Sequence, residues 1–92
     1  MNRVYRALAD PTRREILGLL RKEPRTSGEI AEAFPVRWPS ISRHLAILRD
    51  AGLILARRNG QFIRYEINTS VLQDLIQHIL KLAGAGGKRH GS

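Results

Sequence analysis

Six arginines, Arg37, Arg43, Arg49, Arg57, Arg58 and Arg64, fall between positions 37 and 64 against one acid, Asp50, so this stretch holds +5 of the chain's net +8. A guanidinium offers parallel N–H donors in a planar fork, which match phosphate oxygens and also the O6 and N7 edge of guanine. An isolated charge run is usually a solvated face. Here the run coincides with a helix and the tip of a hairpin, which is the footprint of a double-stranded DNA binder. At 100° per residue, Leu45 and Leu48 return to within about 40° of Ile41, so Ser40, Arg43 and Ile47 face away from that apolar stripe. Arg43 is thereby placed to fork onto guanine. Ser40 and Ser42 can bond a base or phosphate, or serve as ordinary first-turn residues. Trp38, at the helix entrance, packs on a sugar or phosphate, or covers the turn. His44, bordering the stripe, is first a structural hydrogen-bonding residue and second a phosphate contact. Arg57, Arg58 and Gln61 flank a hairpin tip narrow enough to lie along a minor groove, while Arg64, further down, reaches phosphate at most. Arg13 and Arg14 either position the phosphate backbone or form surface salt bridges.

Other chemistries are poorly provided for. The chain has no cysteine, which removes disulfides and thiolate metal sites together. No Ser-His-acid grouping and no phosphate-cradling glycine loop is recognisable, so an enzyme is not expected and no cofactor is implied. Asp74 and His78 stand one helical turn apart. That spacing favours an i, i+4 ion pair; the alternative is a divalent ion shared by two such pairs across a dimer axis. No apolar run approaches the roughly 18 residues of a membrane span, and the first residues lack the order of a signal peptide, so membrane insertion is not expected and the cytoplasm is.

Positioning those arginines requires a scaffold, and the pattern supplies one domain over residues 1–83 followed by a glycine-rich tail over 84–92. Val4, Tyr5 and Leu8 mark a short first helix. Asp10-Pro11 is a helix start that combines a capping carboxylate with a proline at the first helical position. The second helix carries Ile16, Leu17, Leu19 and Leu20 and stops in the charged stretch Arg21–Arg25. Thr26-Ser27-Gly28-Glu29 is a T-x-x-E capping box that opens a third helix running through Ile30, Ala31 and Phe34 to Pro35. A fourth helix begins near Trp38-Pro39 and ends at Gly52. Between Leu53 and Ile67 the period shortens to 2 around Asn59-Gly60, a hairpin signal. A two-residue loop there pairs Arg58 with Gln61, Ala56 with Ile63 and Ile54 with Tyr65, with Arg57–Phe62 and Leu55–Arg64 on the other face. The last helix, capped within Asn68-Thr69-Ser70, runs from Val71 to Leu82. The order α-α-α-α-β-β-α, mainly helical with a β-hairpin wing, is a winged helix-turn-helix.

Ala7-Leu8-Ala9-Asp10-Pro11-Thr12-Arg13-Arg14-Glu15-Ile16-Leu17 and the segment from Ser40 to Ile54, SISRHLAILRDAGLI, resemble the ArsR/SmtB family of repressors. The resemblance continues through the Arg57–Gln61 wing, Tyr65 and Asn68–Leu72, and within the family it is nearest the metal-independent SdpR-like autorepressor branch. It implies a homodimer that occludes a promoter at an inverted-repeat operator, with residues 38–51 in the major groove and 57–61 near the minor groove. It further implies release by a sequestering protein partner. Two departures stand out: the third helix has no cysteines, and Ile76 occupies a position where a last-helix metal site would place a ligand. In addition, Arg37 stands where relatives often carry a capping serine. Two alternatives remain: a metal-responsive repressor acting through Asp74 and His78, and a winged-helix module that holds protein partners. Modules of the latter kind generally lose the reading-helix and wing arginines.

A chain this short buries a modest fraction of its surface, and its helix-turn-helix core covers only one side of the terminal helices. Val4, Tyr5, Leu8, Leu72, Leu75, Ile76, Ile79 and Leu82 are therefore expected at a twofold dimer interface.

Overall fold

A computed structural model describes residues 1–84. The elements run α1 (Asn2–Leu8), α2 (Pro11–Lys22), β1 (Arg25–Thr26), α3 (Ser27–Glu32), α4 (Trp38–Asp50), β2 (Ile54–Asn59), β3 (Phe62–Ile67) and α5 (Thr69–Ala83). Beyond Gly84, which caps α5 in a left-handed conformation, the expected tail lies outside the described residues. The core is assembled from one stripe of each long element, Ile16, Leu17 and Leu20 of α2, Ile41, Leu45 and Leu48 of α4, Ile54 and Tyr65 of the sheet and Leu75 of α5, together with Leu53 just ahead of β2. Ile30 is fully buried among them and is the one residue of α3 that is.

Local chemistry sets the helix ends. Asp10 Oδ1 accepts from Arg13 N at 3.1 Å, and the Thr26–Glu29 capping box is complete, with bonds of 3.2 and 2.9 Å. Helix α4 has no side-chain cap at Arg37. Its first turn is closed instead by Ser40 N and Ile41 N, which both donate to Arg37 O, and Pro39 has no amide to satisfy. At the other end Gly52 takes φ +80°. Leu53 N then reaches back to Leu48 O at 3.0 Å and Gly52 N to Arg49 O at 2.9 Å, a Schellman closure that turns the chain from the helix into the wing. Helix α3 ends at Glu32, two residues short of Phe34, which instead packs half-buried against the core.

Helix α1 has only seven residues and no side-chain cap at its start, too little to persist alone. Two arginines of α2 hold it. Arg13 Nε donates to Ala7 O at 2.7 Å, Arg13 Nη2 to Arg6 O at 3.0 Å and Arg14 Nη1 to Leu8 O at 2.7 Å, so the three last carbonyls of α1 are all satisfied from the next helix. Arg13 Nη1 continues to Nδ1 of His44 on α4, 3.2 Å away. Burial of Val4 and Ala7 completes the docking.

The sheet differs from the sequence expectation in two respects. First, it has three strands in the order β1-β3-β2, with Arg25 opposite Tyr65 and Thr26 opposite Arg64. A two-residue strand has no periodicity to read. Second, the hairpin register is displaced by two residues: Ala56 faces Tyr65, not Ile63, Ile54 faces Ile67, Leu55 faces Glu66 and Arg57 faces Arg64. The turn centres on Gly60-Gln61 because Gly60, at φ +65°, takes the first central position, leaving Asn59 in the strand opposite Phe62. A shift of two preserves every side chain's face. Hence Ile54 and Tyr65 still enter the core.

Both capping carboxyls titrate below their ordinary values. For Asp10 the bond from Arg13 N is the main cause, and for Glu29 the bond from Thr26 N; partial desolvation opposes both. A carboxyl whose folded value is depressed contributes stability above its unfolded value and loses it as pH falls through the folded one. We therefore expect thermal stability to decline as pH drops below about 4. Asp10→Asn retains an oxygen acceptor, so it should melt close to the parent at pH 7 but with a shallower acid limb; an unchanged limb would place the acid sensitivity elsewhere.

Candidate nucleic-acid interface

Helix α4 is amphipathic in the expected sense. Ile41, Leu45 and Leu48 are buried, and Ser40, Ser42 and Arg43 are exposed on the opposite side. Ile47, expected to face away, is half-buried and packs against the core. Arg43 takes part in none of the side-chain hydrogen bonds or ion pairs found among the described residues. Trp38 is half-exposed at the helix start.

His44 is half-buried, with Nδ1 3.2 Å from Arg13 Nη1. A guanidinium cannot accept a hydrogen bond, so in this contact Nδ1 is the acceptor. Beside it a cleft of about 630 Å³ is lined by Arg6, Asp10, Arg13, Ser40, Arg43 and His44. Three guanidiniums share that cleft with one carboxylate, so the ground next to the outward face of α4 is positively charged.

The side-chain bonds of Arg13 and Arg14 go to α1 carbonyls and, for Arg13, to His44. Among the described residues neither forms the surface salt bridge that is one of the two roles open to them in the sequence. Arg13 thereby ties α1 to α4, and Arg14 ties α1 to α2.

On the wing, Arg57 Nε donates to Glu66 Oε2 at 2.8 Å, a diagonal contact that relieves the like charge of Arg64 directly opposite. Arg58, Gln61 and Arg64 are exposed and enter no such bond among the described residues. The pairing places Arg58 with Ile63 on one face and Arg57 with Arg64 on the other. Two residues that charge-based reasoning passed over stand at the tip: Phe62 is 62% exposed and Ile63 41%. The available signal was an aromatic side chain one residue past the turn.

The expected interface residues separate into two groups. Val4 and Leu75 are buried in the chain's own core, and Leu8 and Leu72 are half-buried against it. Tyr5, Ile76, Ile79 and Leu82 are exposed, as is Leu80. The rings of Tyr5 and His78 meet at a centroid distance of 6.2 Å, which joins α1 to the outer face of α5. His78 therefore does not form the expected pair with Asp74; no such ion pair exists among the described residues. No group of three His, Cys, Asp or Glu side chains within reach of one ion occurs among the described residues of the protomer. No described helix is long and apolar enough to cross a membrane.

Comparison with known proteins agrees with this geometry. Residues 8–57 match a family model described as a helix-turn-helix domain. The chain is 51% identical to the transcriptional repressor SdpR of Bacillus subtilis, over 94% of this chain and 96% of the relative. It is 40% identical to a probable mercury resistance operon repressor of Streptomyces lividans over 80% of this chain, a match that spans 59% of that longer protein. Among solved structures, an ArsR family transcriptional regulator superposes with a TM-score of 0.84 at 31% identity, covering 96% of this chain and 97% of the other. The chain belongs to the ArsR/SmtB family of winged helix-turn-helix, DNA-binding transcriptional repressors.

Proposed function

We propose that the protein is a metal-independent autorepressor that binds an inverted-repeat operator as a homodimer and excludes polymerase from its own promoter. The exposed, unengaged Arg43 at the centre of the outward face of α4 is the observation that carries this reading. From there a guanidinium can fork onto guanine in the major groove, with Ser40 and Ser42 beside it and Trp38 at the sugar–phosphate edge. Arg58 and Gln61 lie along the minor groove, and Arg64 and the Glu66-bound Arg57 face phosphate.

The dimer surface is the apolar face that the protomer leaves open. In α5, Val71, Leu72 and Leu75 meet the core, but Ile76, Ile79, Leu80 and Leu82 do not. Tyr5 extends the same surface onto α1 through its contact with His78. An isologous twofold contact buries that patch twice and sets two reading helices about 34 Å apart, one turn of B-DNA. The 51% identity with a named repressor across nearly both whole chains supports the repressing role. Release by a sequestering protein partner, as the family resemblance implies, is part of the same reading.

Sheared genomic DNA from the source organism, retained by the protein in chelator and sequenced, should give sharp peaks on inverted repeats, one of them ahead of the protein's own gene. Enrichment that appears only when metal is restored would overturn metal independence. On the recovered operator, Arg43→Ala should cost about 1–3 kcal/mol and relax base preference, whereas Arg58→Ala should weaken specific and random duplexes alike. Equal losses on both duplexes for Arg43→Ala would remove it from base reading. Ile76→Lys with Ile79→Lys alters only exposed positions, so the variant should remain helical by circular dichroism yet sediment as a monomer with much weaker operator binding. A folded double variant that stays dimeric would refute this interface.

A further inference from the structure

A second cleft, of about 550 Å³, lies away from the reading face, between the C-terminal half of α2, the end of β3 and the start of α5. That volume is within the range of small-molecule sites. Its apolar lining comes from Leu17, Leu20, Ile67 and Leu72.

Two observations define what fits it. The first concerns charge. Four ionic side chains stand at the rim, Arg21, Lys22, Glu23 and Glu66. Both carboxylates are already matched by cations of their own: Glu23 by Arg25 at 3.5 Å and Glu66 by Arg57 at 2.8 Å. Arg21 and Lys22 have no ion pair among the described residues. The uncompensated charge at the mouth is therefore positive, above an apolar floor. The second concerns Gly18, which lines the cleft from the middle of α2. Glycine there costs about 1 kcal/mol of helix stability relative to alanine. A Cβ at this position would meet nothing within 4 Å, so neighbouring packing does not require the glycine. What the missing side chain provides is open space in the cleft.

We infer that this cleft binds an amphipathic carboxylate, an apolar chain or ring with one anionic head, and that its occupancy lowers affinity for DNA. The apolar body lies against Leu17, Leu20 and Leu72, and the head faces Arg21 and Lys22. Glu66 connects the two functions. It belongs to the rim, and its carboxylate holds Arg57 of the wing, so a ligand that displaces Glu66 alters the wing. The regulatory half of the inference rests on DNA binding, which is measured separately in the absence of ligand.

The test uses decanoate as probe, below its micellar concentration, with decanol as the uncharged control. Calorimetry should show saturable decanoate binding that is lost in Gly18→Leu, which fills the cleft while improving helix propensity. Binding should fall at least tenfold in Arg21→Ala/Lys22→Ala, and decanol should bind more weakly than decanoate. Affinity of the unmodified protein for a mixed-sequence duplex at low salt should drop about fivefold or more at saturating decanoate. The same duplex should bind Gly18→Leu normally and without response to decanoate. No binding, or binding that survives Gly18→Leu, overturns the site. Equal binding of decanol overturns the anion preference, and binding without a change in DNA affinity overturns the regulatory role.

Discussion

The fold depends on one side chain more than on any other. Arg13 spans three elements: its guanidinium takes two carbonyls at the end of α1, its backbone amide is the partner of the Asp10 cap of α2, and its remaining arm meets His44 on α4. Without it a seven-residue helix would retain two buried side chains, the Arg14 bond to Leu8 O and no side-chain partner for Ala7 O. The planar fork matters here as much as the charge, because a lysine ammonium cannot present donors to acceptors spread over that span. Together with the burial of Val4 and Ala7, Arg13 therefore fixes α1 against α4. It does so from a cleft that it shares with Ser40 and Arg43, beside the outward face of that helix.

Much of the scaffold was legible from residue spacing. The Asp10-Pro11 start, the Thr26–Glu29 box, the Gly52 exit and the apolar stripe of α4 each arise from contacts within a few residues, and local contacts are what a local pattern records. The hairpin was legible in part: alternation assigned faces correctly, because face depends only on parity, but it did not fix which residues stand opposite. That choice fell to Gly60, which takes the left-handed first position of the turn. Strand β1 left no trace, since its two residues acquire meaning only by lying beside Tyr65 and Arg64, nearly forty positions away.

The candidate site residues divide along the same line. Arg43, Ser40 and Ser42 could be assigned to an outward face from helical geometry alone. The carbonyl contacts of Arg13 and Arg14 could not, because nothing in their spacing announces an arginine that caps the preceding helix. Arg57 and Arg58 are adjacent and chemically identical, yet one is tied to Glu66 and the other has no side-chain bond among the described residues, a difference created by the two-residue register. Val4 and Leu75, read as contact surface, proved to be core; the apolar stripe of α5 is wide enough for both roles, and only three-dimensional packing divides it.

The sheet order has a consequence for solubility. Because β3 is central, β2 is an edge with no further strand beside it among the described residues, and Leu55, Phe62 and Ile63 are exposed nearby. Such an edge is a template for strand addition between molecules. Arg57 and Arg58 sit on that edge, where a second copy approaching in register would bring guanidinium against guanidinium. The side chains that recommend the wing for contact with DNA thus also act as gatekeepers against aggregation. Neutralising them removes two protections at once, so a variant made to weaken DNA contact at this strand also becomes more prone to self-pairing through it.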